Sequence, residues 1–161
     1  MNIFVLHENP TIAAQYHCDR HVVKMALETA QLLSTTHHIL SSPLASQVYR
    51  PTHKNHPSNV WVRESLENHL WAIQLFCALM DEYTFRYGKT HACASLLPIF
   101  LDKALFTLDW PSEGLTPFAQ AMPDEYKNEN AVVAYRTYYA EHKHRMLKYT
   151  RRLRPEWLPT I

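Results

Sequence analysis

An all-α single domain is the fold class this sequence predicts, on three observations. Apolar residues recur at helical spacing over long stretches, and alternating β-branched runs are scarce. Only two glycines occur, Gly88 and Gly114, too few for tight hairpins or a Gly-rich phosphate loop. Apolar residues make up 47% of the 161 positions, enough for one core, and no repeat, low-complexity tract or linker divides residues 1–161.

Residues 2–6 carry the apolar run Ile3, Phe4, Val5 and Leu6. The run is too brief for a sheet of its own and predicts a short extended lead packed on the first helix. Residues 9–40 read as one long helix. Asn9 is a suitable N-cap, Pro10 fits the first helical position, and the next breaker is Pro43. Ile12, Tyr16, Val23, Ala26, Leu27, Ala30 and Leu33 fall on one side. Ala14, Cys18, Val22, Met25 and Leu32 cover another, which predicts a central, buried helix. His17, His21, Lys24, Glu28 and Thr35 interrupt this pattern, sharing a sector of about 60°. Two readings stand side by side: a solvated strip with a Lys24–Glu28 ion pair, or the wall of a cleft with an acid/base set. Asp19 lies on the apolar side and requires a donor, Arg20 or a tryptophan N–H.

Residues 49–57, YRPTHKNHP, form the densest polar loop, its course fixed by Pro51 and Pro57. Arg50, His53, Lys54 and His56 make it either an ordinary solvated turn or a phosphate- or substrate-binding loop. Ser58 caps a second helix running to Tyr87, kinked near Ser65 and closed by Gly88. Thr90 caps a third to about Phe106, interrupted at Pro98. Residues 107–130 are turn-rich, either short helical turns or a functional loop. Asn128 or Asn130 caps a last helix to about Lys148, and Trp157 in the tail docks back on the body.

Overall charge is +1, but residues 136–154 hold seven cations against the single acid Glu141, a local +6 that leaves −5 elsewhere. Arg136, Lys143, Arg145, Lys148, Arg151 and Arg152, interleaved with Tyr138 and Tyr139, point to a nucleic-acid partner. The structural alternative is that the tyrosines are core and the cations merely solvated. Cys18, Cys77 and Cys93 have no close-pair spacing and read as reduced hydrophobes of a cytoplasmic protein. No signal peptide or membrane span is expected, and no membrane partner. His17 and His21 have the i,i+4 spacing of a zinc pair, and His53 and His56 could add ligands. The catalytic Glu beside the first His is missing and histidine is abundant, so neither metal nor cofactor is expected.

The opening NIFVL, NP, AAQ, CD-R-HVVKM and AQLL, with THKNHP and DEYTFRYGKTH later, resembles a group of small bacteriophage proteins over most of the chain. A fainter resemblance is to the phage pyrimidine-dimer DNA glycosylases. It rests on the extended N-terminus, Asp19-x-His21, Glu28 seven residues beyond that His, and Tyr135-Arg136-Thr137-Tyr138-Tyr139. That resemblance implies a small all-α enzyme in the cytoplasm of a bacterial host. Its terminal α-amine would attack C1′ of a damaged or modified pyrimidine nucleotide in DNA, with a glutamate of the first long helix as acid/base. Glu28 takes that role, His21 orients it or contacts phosphate, and the nucleophile is the Met1 amine or Lys24. One departure matters: Asn2 is too large for routine removal of Met1, so an amine mechanism uses Met1 itself. The alternatives are a non-catalytic nucleic-acid-binding or host-interaction protein, and a His-ligated metal-dependent phosphoesterase.

Overall fold

A computed structural model describes residues 1–160. Its six α-helices are α1 (Pro10–Tyr16), α2 (Asp19–Ile39), α3 (Pro57–Val62), α4 (Leu66–Tyr87), α5 (Leu97–Phe100) and α6 (Ala131–His142). No strand forms among the described residues, so the all-α expectation holds. The long helices α2 and α4 pack on each other, and α1 packs on α4. The extended lead is there too: Ile3, Phe4, Val5 and Leu6 are all buried in the common core.

The single helix expected over residues 9–40 is two helices. Asn9 caps α1 as expected, accepting from the Thr11 and Ile12 amides. The break falls at His17 and Cys18, both with extended ψ. The Cys18 amide donates to the Tyr139 hydroxyl (2.9 Å) and the Asp19 amide to the Lys148 carbonyl (2.8 Å). Partners distant in sequence satisfy these N–H groups, so the helix can stop without orphaned donors. The new register leaves Val23 and Leu27 39% and 42% exposed, contrary to the expected apolar face, while Val22, Met25, Ala26 and Leu33 fill the core.

The second expected helix is likewise divided. His56, not Ser58, caps α3, with Pro57 at its first position. Ser65 then starts α4 afresh, its side chain accepting from the Asn68 amide. Gly88, at φ 64°, closes α4 in the left-handed conformation, where a Cβ is strained. The expected third helix is mostly 3-10 turns around the four-residue α5, begun by His91 rather than Thr90. Asn130 caps α6, which ends at His142 instead of reaching Lys148.

A polar network ties the tail to this frame. Glu82 of α4, 3% exposed, accepts from Arg86 Nε (2.7 Å) and from Arg152 Nη2 (2.8 Å). Arg86 Nη1 donates to Asp19 Oδ1 (3.0 Å), and Thr150 donates to Asp19 through its amide and hydroxyl. The donors to Asp19 are therefore Arg86 and Thr150, not Arg20 or a tryptophan. Burial works to raise the Asp19 pKa, but these bonds outweigh it and hold the carboxyl below the usual aspartate range. Glu82→Ala takes the shared carboxylate from two guanidinium groups and leaves the fully enclosed Arg86 with only Asp19 and the Gln15 carbonyl. We expect it to cost about 3–5 kcal/mol in chemical denaturation at neutral pH; a loss within about 0.5 kcal/mol, as at an ordinary surface site, would show the network to be idle.

Candidate functional site

Met1 lies in a cleft. Phe4 and the residues beside it are anchored in the core, so the backbone leads Met1 back over α2. There the terminal ammonium lies 3.7 Å from Glu28 Oε2, and the Asn2 amide donates to that same oxygen at 3.0 Å. Lys24, one turn earlier on α2, lies 3.5 Å from Oε1 with its side chain 64% exposed. The cavity is about 220 Å³, and its walls include Phe4, His21, Tyr138 and Lys143. Grooves elsewhere are larger, up to about 660 Å³ beside Tyr16 and Trp157, but this is where an amine and a buried carboxylate share one space.

His21 stacks on Phe4, with ring centroids 4.8 Å apart. Burial, and then the charges of His17, Lys143 and Lys24, lower its pKa to about 3. It is a neutral imidazole at physiological pH, suited to orienting a group rather than to pairing with phosphate through charge. His17, expected on the same strip, is wholly inside. Its Nδ1 contacts the Ala13 carbonyl, and burial lowers its pKa to about 4. Thr35 is also buried, and it holds the 49–57 loop to α2 through Thr52 (3.1 Å). The loop thus lies beside the cleft. Burial lowers the His56 pKa, and the terminal amine adds to that effect while Glu28 opposes it. Arg50, His53 and Lys54 are exposed on the loop surface.

The basic segment divides into two groups. Arg136 donates to the Leu6 carbonyl (2.9 Å) and lies over the rings of both Tyr16 and Trp157, and the docking of Trp157 matches expectation. Arg152 grips Glu82, and Arg151 donates to the Phe85 carbonyl. These three act as internal ties. Lys143 instead sits over the ring faces of Phe4 and Tyr138 at the cleft, and Arg145 and Lys148 are exposed along a separate groove beside Asp19 and Arg20. The tyrosines divide in the same way. Tyr139 is fully buried against Cys18, its pKa raised by that burial, so its ring is core. Tyr138 is half-buried on the cleft wall, where a ring can meet a ligand.

Three features of the cleft were missed by the sequence reading: Phe4 as a wall, Ala121 from the turn-rich 107–130 stretch, and Asn2 as an anchor. Composition marks Phe4 only as apolar, and nothing in the sequence singles out Ala121. Among the described residues no three His, Cys, Asp or Glu side chains converge as a metal ion would need. Likewise no described helix is long and apolar enough to cross a membrane. No protein-family profile, curated protein or solved structure matches the chain.

Proposed function

We propose that this protein acts on DNA as a glycosylase with an accompanying lyase step, at damaged or modified pyrimidines. The observation that carries the reading is the Met1 amine 3.7 Å from the buried Glu28 carboxylate in a small polar cleft. An amine with a carboxylate proton acceptor at its side is the pairing that imine chemistry needs. In the first step the amine nitrogen bonds to C1′, the C1′–base bond breaks, and the base leaves with its electron pair and takes up a proton. The proton lost by the attacking amine passes through Glu28 to O4′, whose bond to C1′ breaks to give the protonated imine. Glu28 removes a C2′ proton, and the 3′-phosphate departs by β-elimination. Water finally hydrolyses the imine and returns the free amine. Lys24 is the less suitable nucleophile, because its side chain stands in solvent at the rim. Tyr138, half-buried on the cleft wall, supplies a ring for a base taken out of the stack, and Lys143 supplies a cation for its phosphate.

Borohydride reduction in the presence of damaged duplex DNA tests the reading. We expect a covalent adduct whose mass maps to the Met1 peptide, and none with intact DNA. Absence of an adduct on every lesion tried, with DNA still bound, favours the second reading, a non-catalytic nucleic-acid-binding protein. That reading draws on the exposed cations alone.

Salt dependence separates the two groups of cations. With Lys24, Lys143, Arg145 and Lys148 supplying three or four phosphate contacts, the log–log slope of DNA affinity against salt is expected at about −2.7 to −3.6. Lys143→Ala and Lys148→Ala should each flatten it by about 0.9. Arg152→Ala should leave the slope alone and lower thermal stability instead, since its guanidinium is bound to Glu82. Fluorescence anisotropy at several salt concentrations, read beside melting curves, checks both statements.

A further inference from the structure

We infer that Asn2 is a positioning residue that fixes the Met1 amine against Glu28, a role that rests on the amine chemistry proposed above. Asn2 is 9% exposed, and its backbone amide and both ends of its side-chain amide are hydrogen-bonded. Its backbone amide donates to Glu28 Oε2 at 3.0 Å. Its side-chain Nδ2 donates to the Ala121 carbonyl at 2.9 Å. Its Oδ1 accepts from the Ile3 amide (2.8 Å) and the Ser58 hydroxyl (3.3 Å), and the Tyr135 hydroxyl lies 3.0 Å from it. One residue, through its backbone amide and its side-chain amide, therefore joins the N-terminal segment to α2, α3, α6 and the 119–121 segment. Tyr135 is itself held, lying 2.8 Å from the Ala119 carbonyl and accepting from the Ala121 amide at 3.1 Å.

A chain terminus normally frays, because its few contacts do not outweigh the entropy of ordering it. Here the residue next to the terminus is tied to Glu28, Ser58, Ala121 and the buried Tyr135, which restricts the amine around Glu28. Only an amide serves at this position. An aspartate keeps the size and the acceptors but loses the donor to the Ala121 carbonyl. It also places a second negative charge beside Glu28.

Asn2→Asp and Asn2→Leu test this, since both side chains are large enough to retain Met1, as intact mass will verify. On DNA containing an abasic site, single-turnover borohydride trapping should slow by about a hundredfold in Asn2→Asp, with DNA affinity unchanged. In a Glu28→Gln background the same substitution should have almost no further effect, because the two residues act through one geometry. A DNA-free readout runs in parallel: reductive labelling of the terminal amine by a small aldehyde should change several-fold once the clamp is released. Wild-type rates of trapping and labelling in a folded Asn2→Asp protein, or full additivity with Glu28→Gln, would overturn the assignment. Should Asn2→Asp fail to fold, Tyr135→Phe removes one contact to Oδ1, and wild-type labelling and trapping there would also overturn it. If the wild-type protein does not trap, the proposed function fails, and the labelling result alone decides whether Asn2 holds the amine.

Discussion

Glu28→Gln is expected to lower single-turnover activity by about 10²–10⁴-fold while the protein stays folded. Glutamine keeps the shape and one oxygen to accept the Asn2 amide, so the contact at 3.0 Å survives. In the proposed reaction it removes the group that would take a proton from the Met1 amine and, later, from C2′. The salt bridges to the amine and to Lys24 disappear with it. Because Lys24 is exposed, the stability change from that pair is small, within about 1 kcal/mol. Borohydride trapping and a melting curve on the same preparation give the answer. Normal turnover by the variant, or loss of activity only through unfolding, would remove Glu28 from the chemistry.

Acidification is expected to unfold the protein well above the range where carboxylates titrate. Burial holds His17 at about 4 and His21 and His69 at about 3. In the unfolded chain each titrates near 6.5. The unfolded state thus binds protons first as pH falls. The stability these neutral rings contribute is complete above about pH 6.5 and is lost progressively toward their folded values. At pH 5 each of the three accounts for about 2 kcal/mol, or about 6 kcal/mol together, a large share of a typical domain's stability. His37, also lowered by burial, adds in the same direction. Denaturant midpoints at pH 7.5 and pH 5 measure the drop, and equal midpoints would refute it. His69→Gln should remove about a third of the drop.

The fold class was legible because helical periodicity and scarce glycine are properties of the chain itself. Asn9, Asn130 and Gly88 were legible as helix ends because capping is local chemistry. The break at His17–Cys18 was not, since it depends on the Tyr139 hydroxyl, 121 residues away. The cleft was half legible. His21, Lys24 and Glu28 stand one above another on α2, so spacing grouped them. Spacing also grouped His17 and Thr35 with them, although one is core and the other holds a loop. The basic segment shows the same limit. Composition counts Arg136 and Arg152 with Lys143, and only tertiary partners separate the ties from the exposed cations.

The Asn2–Tyr135 contact spans 133 residues and the Leu6–Arg136 bond 130. During synthesis the first residues leave the ribosome long before their partners exist. The terminal amine therefore stays loose, and Glu28 without its full setting, until α6 has emerged. A nascent or truncated chain ending before residue 135 carries every residue of α2 and yet no assembled cleft. The contact of Asn2 and the Met1 amine with Glu28 thus gains its full set of supports only when nearly the last helix has been made.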